Sequence, residues 1–117
     1  ASAGLATAMA DYYAVNPNAD HIFCATMDQG DEVMAGIAGG YVDHTVSQNG
    51  WAMGYVSPLI LMYLKDGWEP QEWGAHIDTG YIFITAENQD SWQTDIEAAA
   101  MEMIASIESD ILKAPEA

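Results

Sequence analysis

Apolar and polar positions along this chain follow two periods in alternation, and their order predicts the fold. Residues 5–15 carry Leu5, Ala8, Met9, Tyr12 and Tyr13 at helical spacing, and Asn16-Pro17-Asn18 ends that helix with a turn. Residues 21–26 are a short apolar run with turn signals on both sides, the pattern of a buried strand. After Gly30, Asp31 is placed to cap a brief helix with the stripe Val33, Met34 and Ile37, closed by Gly39-Gly40. Residues 41–47, β-branched and aromatic, predict a second strand, and Asn49-Gly50 turns the chain into a helix over about 51–64. Pro58 falls inside that helix, where its missing N–H predicts a kink or a restart capped by Ser57. Residues 65–77 read as a polar loop, and residues 81–85 as the third strand. Asp90, Ser91 and Thr94 offer caps for a last helix with the stripe Ile96, Ala99, Ala100, Met103, Ile104, Ile107 and Ile111.

The order α-β-α-β-α-β-α predicts an α/β fold, a small and mostly parallel sheet flanked by helices, because parallel neighbours are joined by helical crossovers. The 117 residues suit a single α/β lobe, and half of them are hydrophobic, enough for a core. There is no internal repeat, low-complexity tract or interdomain linker.

Charge narrows the function classes. Eighteen carboxylates against two lysines give a formal net charge of −16, which repels a phosphate backbone and argues against nucleic-acid binding. The acids are scattered, as on a solvated, self-repelling surface; cation capture or docking on a basic partner is the sharper alternative. The most apolar stretch, residues 53–64, is broken by Gly54, Ser57 and Pro58 and is too short to span a bilayer. Cys24, the single cysteine, lies in an apolar run and reads as a small core hydrophobe. Ala1-Ser2-Ala3 looks like the small-residue end of a signal peptide, but no basic or apolar segment precedes it here.

Candidate chemistry gathers where strands end, since loops at the carboxyl ends of parallel strands converge on ligands. The first strand runs into Asp28 and the second into Gln48-Asn49. A carboxylate accepts two hydroxyl hydrogens, and an amide donates to one hydroxyl while accepting from its neighbour, which suits a neutral polyol. The same residues also serve turns and caps. His21, His44 and His76 lack metal-ligand spacing, and residues 28–32 lack the alternating acids of a calcium loop, so no metal or cofactor is expected. No Gly-x-Ser-x-Gly elbow and no Walker loop is present, so nothing points to an enzyme. Trp68 and Trp73 flank Pro70 and either cover a sheet edge or contact a ligand or partner.

Thr26-Met27-Asp28, His44-Thr45-Val46-Ser47-Gln48, Asn49-Gly50-Trp51-Ala52-Met53-Gly54 and Asp78-Thr79-Gly80 followed by Glu87-Asn88 together resemble the carboxyl-terminal lobe of the type I periplasmic sugar-binding proteins of ABC transporters. The Asp and Gln stand twenty positions apart, as in that family. The resemblance spans roughly residues 5–113, with two departures. One internal helix-strand unit looks merged away near residues 16–28, and the amino-terminal lobe is absent, as in a fragment or a lobe that pairs with another chain. It implies a non-catalytic solute receptor, periplasmic or extracellular, that binds a sugar-like ligand through Asp28 and Gln48, with Asn49 and Trp51 beside them, and docks on a transporter permease. The alternative is an assembly protein that self-associates through the face left by the missing lobe. A sugar-responsive transcription regulator is disfavoured, because no basic helix-turn-helix precedes the lobe.

Overall fold

Three strands form the main sheet in the computed structural model, which describes residues 2–116. β1 (Ala25–Met27), β2 (His44–Gln48) and β4 (Tyr81–Thr85) lie in the order β1-β2-β4. Around them in sequence are α1 (Ser2–Val15), α2 (Asp31–Ala38), α3 (Gly50–Lys65), the two-residue strand β3 (Glu69–Pro70), α4 (Trp92–Ser106), a π-helical turn at Ile107–Ile111 and β5 (Leu112–Lys113). The architecture is α/β, as the periodicity predicts. Ala1 lies outside the described residues.

The chain divides into two compact units: the described residues up to Gln48 together with Tyr81–Trp92, and Asn49–Gly80 together with the residues from Gln93 on. In the first unit β1 and β2 pair in parallel across α2, with Thr26 opposite Thr45. β4 then pairs antiparallel with β2, Gln48 opposite Tyr81 and His44 opposite Thr85. The sheet is therefore mixed rather than mostly parallel. Apolar alternation marks a strand but carries no information on its direction.

Strand alternation sorts the side chains into two faces. Thr45, Ser47 and Ile84 are fully buried and Thr26 nearly so. On the opposite face Met27, Gln48, Tyr81 and Phe83 are exposed. α1 packs on α2. Met9 of the predicted stripe is buried, with Ala6 beside it, while Leu5 and Tyr12 stay exposed, so the helix is rotated part of the way from the predicted face. α2 buries Val33, Gly36 and Ile37. A Cβ at Gly36 would sit 2.6 Å from Val42 Cγ2, so only glycine lets the following segment lie that close to α2. Gly30, not Asp31, occupies the N-cap. Asp31 instead sits in the first turn, where its charge complements the helix dipole.

In the second unit a continuous α3 runs through Pro58 with no new start at Ser57. The carbonyl that the proline ring crowds belongs to Gly54, whose backbone has the freedom to tilt. Ala52 and Val56 of α3, Ala100 of α4, Ile107 and Leu112 form the core, and Leu59, Ile60, Tyr63, Trp68, Met103 and Ile104 pack around it. The predicted last helix gives way to the π turn after Ser106, and the chain then extends so that β5 pairs antiparallel with β3. This pairing gives part of the predicted 65–77 loop a regular structure. Trp68 packs edge-on against Tyr63 at 4.9 Å between ring centroids, whereas Trp73 is 75% exposed.

Candidate functional site

The carboxyl ends of β1 and β2 bring Asp28 and Gln48 together. The Asp28 backbone N–H continues the ladder by donating to the Val46 carbonyl at 2.7 Å. The chain then turns sharply, with Asp28 at φ 66°, a left-handed conformation that Asp tolerates better than most residues. Thr45 Oγ1 donates to the Asp28 carbonyl at 2.6 Å and fixes the turn from the buried side of the sheet. Ser47, also buried, donates through its hydroxyl to Gln29 Oε1. The loop after β1 is thus held to β2 by two hydroxyls whose backbone positions alternate with those of the exposed side chains. On the solvent side Gln48 Nε2 donates to Asp28 Oδ1 at 3.3 Å, with both residues exposed.

Tyr81 is the register partner of Gln48 and is 64% exposed, so its ring belongs to the same open face. It begins a row of rings: Tyr81 to Phe83 at 5.6 Å, Phe83 to His44 at 5.7 Å and His44 to Phe23 at 5.5 Å between centroids. A carboxylate, an amide and an aromatic ring therefore share one end of the sheet. Chemically, such a group can accept and donate hydrogen bonds to neighbouring hydroxyls while the ring covers C–H surface. Sequence reasoning did not select Tyr81. The signal for it was the alternation Tyr81-Ile82-Phe83, which sets Tyr81 and Phe83 on one side of β4.

The other two candidates belong to the second unit. Asn49 is 2% exposed; its Oδ1 accepts from the Ala52 N–H at 2.9 Å and its Nδ2 donates to the Ile96 carbonyl at 3.3 Å. It caps α3 and ties that helix to α4, which makes it a positioning residue rather than an open contact. Trp51 is 43% exposed, with its ring stacked on Tyr55 at 5.3 Å and 8° between planes. The Asp78-Thr79-Gly80 segment is a turn, in which Asp78 Oδ1 accepts from the Gly80 N–H at 2.8 Å and Gly80 adopts φ 75°. Beyond β4, Asn88 closes the next turn: its Oδ1 accepts from the Thr85 N–H and its Nδ2 donates to the Phe83 carbonyl, both at 2.8 Å.

At the amino end of β2, Asp43 pins the approach to β1. Its Oδ2 accepts from the Cys24 N–H at 2.7 Å and its Oδ1 meets His21 Nε2 at 2.8 Å. The Cys24 N–H first, and then the His21 contact, hold the Asp43 carboxyl below the ordinary carboxylate range against the opposing effect of its burial. Cys24 is buried, and burial, followed by the Asp43 charge, pushes its thiol up, as for an unreactive core cysteine. Among the described residues no three His, Cys, Asp or Glu side chains gather as a metal ion would require. No helix among them is long and apolar enough to cross a membrane.

Among solved structures the chain is similar to a sugar ABC transporter (sugar-binding protein) from Bacillus halodurans, with 27% sequence identity and a TM-score of 0.63. The match covers 74% of this chain and 33% of that one, so this chain spans about a third of the length of that protein. Its α/β architecture with a small mixed sheet matches a periplasmic-binding-protein lobe. No family model matches the sequence, and no curated protein does.

Proposed function

We propose that this chain is part of the carboxyl-terminal lobe of an extracytoplasmic solute receptor, which captures a sugar-like ligand for uptake by an ABC transporter. The observation that carries the reading is the pairing of the Asp28 carboxylate with the Gln48 amide at the exposed sheet end beside Tyr81. The likeness to a sugar-binding protein at 27% identity supports the ligand class. Binding is non-catalytic. Asp28 accepts from two hydroxyls, Gln48 bridges a third as donor or acceptor, and Tyr81 lies against the sugar ring. In the second unit Asn49 fixes the start of α3, and Trp51 keeps an exposed ring on that helix. A loaded receptor of this kind docks on a membrane permease.

One lobe encloses only part of a ligand, so the expected affinity is about millimolar. The test is an amide NMR titration of the full chain, in high salt, against a panel of monosaccharides. Saturable shifts at Asp28, Gln48 and Tyr81 with one sugar support the reading. Their absence across the panel, with lines that broaden as concentration rises, replaces it with an assembly role through the open ring-bearing sheet face.

A further inference from the structure

α3 is apolar on two opposite sides, and its own unit covers one of them. Ala52 and Val56 are buried in the core, with Leu59 and Tyr63 packed against it. On the far side Trp51, Gly54, Tyr55, Pro58, Leu61 and Met62 recur at helical spacing and are all exposed. The large members keep much of their surface in water: Trp51 is 43% exposed, Tyr55 51%, Met62 61% and Leu61 67%. Single exposed apolar side chains are ordinary, but a continuous row of them on one helix marks an interaction surface.

The charge of the chain narrows what fits against this row. Residues 44–65 hold no Asp or Glu, the longest such stretch in a sequence with eighteen. α1, α2 and α4 each carry at least one carboxylate, whereas α3 carries none. With a net charge of −16, two copies of this chain repel each other wherever their acidic surfaces meet. The α3 row lets them approach without opposing like charges.

The row is also complementary to itself about Pro58. In an antiparallel pair crossing at Pro58, residues at equal distances on either side of it face each other across the two-fold axis. Trp51 then meets Lys65 of the second copy, a cation over an indole face, and Tyr55 meets Leu61. Trp51 is already stacked on Tyr55 at 5.3 Å between centroids, which fixes the indole plane for that contact. Gly54 falls opposite Met62, and a Cβ at Gly54 would meet nothing within 4 Å in its own chain, so the notch is open to a neighbour. Two such rows bury on the order of 1,200 Å² in total, the lower end of specific interfaces. We propose that the chain forms a two-fold dimer through antiparallel pairing of α3. This surface uses neither Asp28, Gln48 nor Tyr81, so it is independent of the ligand reading above.

The experiment is sedimentation equilibrium on the full chain from about 0.1 M to about 1 M sodium chloride. Expected is a monomer-dimer equilibrium that tightens about ten-fold over that range, because salt screens the repulsion between two acidic chains and leaves apolar contact intact. Leu61→Lys combined with Met62→Lys lowers the net negative charge, which by itself favours association, yet weakens the dimer about ten-fold or more. Gly54→Gln fills the notch and weakens the dimer about ten-fold, while glutamine, the better helix former, keeps α3 intact by circular dichroism. Phe83→Ser, on the open face of the sheet in the other unit, leaves the dimer unchanged. A chain that stays monomeric at every salt concentration overturns the proposal. So does a dimer that the Phe83 variant breaks, or one that survives either α3 variant.

Discussion

Both compact units bury apolar side chains, but they differ in how far polar side chains fix the backbone. In the first, polar side chains fix the backbone: Asp43 takes the Cys24 N–H, Thr45 takes the Asp28 carbonyl, and Ser47 holds Gln29. In the second, aliphatic contact dominates, with Ala52, Val56, Ala100, Ile107 and Leu112 at the centre and one buried amide, Asn49, at the helix start. Hydrogen bonds are directional, so the first arrangement can hold a strained turn and aim the exposed groups of a site. Hydrophobic contact is not directional, so the second can bring helices together while leaving the outer row of α3 uncovered.

The most disruptive test of this contrast is Ile107→Ala. With Ile107 only 1% exposed, the truncation should lower stability by about 2–4 kcal/mol in a denaturant titration. Amide exchange should show the loss in Asn49–Gly80 and in α4 before it reaches β1 and β2; equal loss everywhere would show that the two units unfold as one. Asn49→Ala comes next, at about 1–2 kcal/mol, because it uncaps α3 and removes the hydrogen bond that ties that helix to the Ile96 carbonyl of α4.

Asp43→Asn sharpens the polar side of the comparison, with an expected loss of about 1 kcal/mol at neutral pH. Because the folded protein holds the Asp43 carboxyl below its ordinary range, the stabilisation is present above that range and is lost as pH falls through the lowered value. Unfolding curves of parent and variant should therefore converge in acid. A gap that stays constant with pH would assign the effect to packing rather than charge. The smallest change in stability is expected for Asp28→Gly. Glycine relieves the φ 66° conformation but adds freedom to the unfolded chain, so the two effects nearly cancel, within about 1 kcal/mol. The same variant should lose every sugar-dependent shift at Gln48 and Tyr81; retention of those shifts would remove Asp28 from the site.

Much of this architecture is legible in the sequence, for identifiable reasons. α2 and the strand at residues 81–85 were readable because glycines and turn residues bracket a clear apolar period. α1 was placed correctly but its face only in part. Met9 of the expected stripe is buried, with Ala6 beside it in place of Leu5 and Tyr12, because in a helix with little amphipathic contrast the packing partner selects the face. The turn at β5 was missed because Ile107 and Ile111 continue the helical stripe while the backbone widens into a π turn. Asp28 and Gln48 were legible as polar residues at strand ends, whereas the place of Tyr81 beside them depends on a cross-strand register.

The sequence by itself determined the α/β class, the approximate extents of most helices and strands, the acidic surface and the two polar residues at the strand ends. These follow from local periods, turn chemistry and charge, which act over a few residues. Only the tertiary structure decided that β4 runs antiparallel to β2, that Gln48 faces Tyr81, that Asn49 turns inward and that the outer row of α3 stays uncovered. Each of these depends on pairing between residues far apart in the chain, where the free energy of bringing particular surfaces together selects one arrangement among several that the local pattern allows equally.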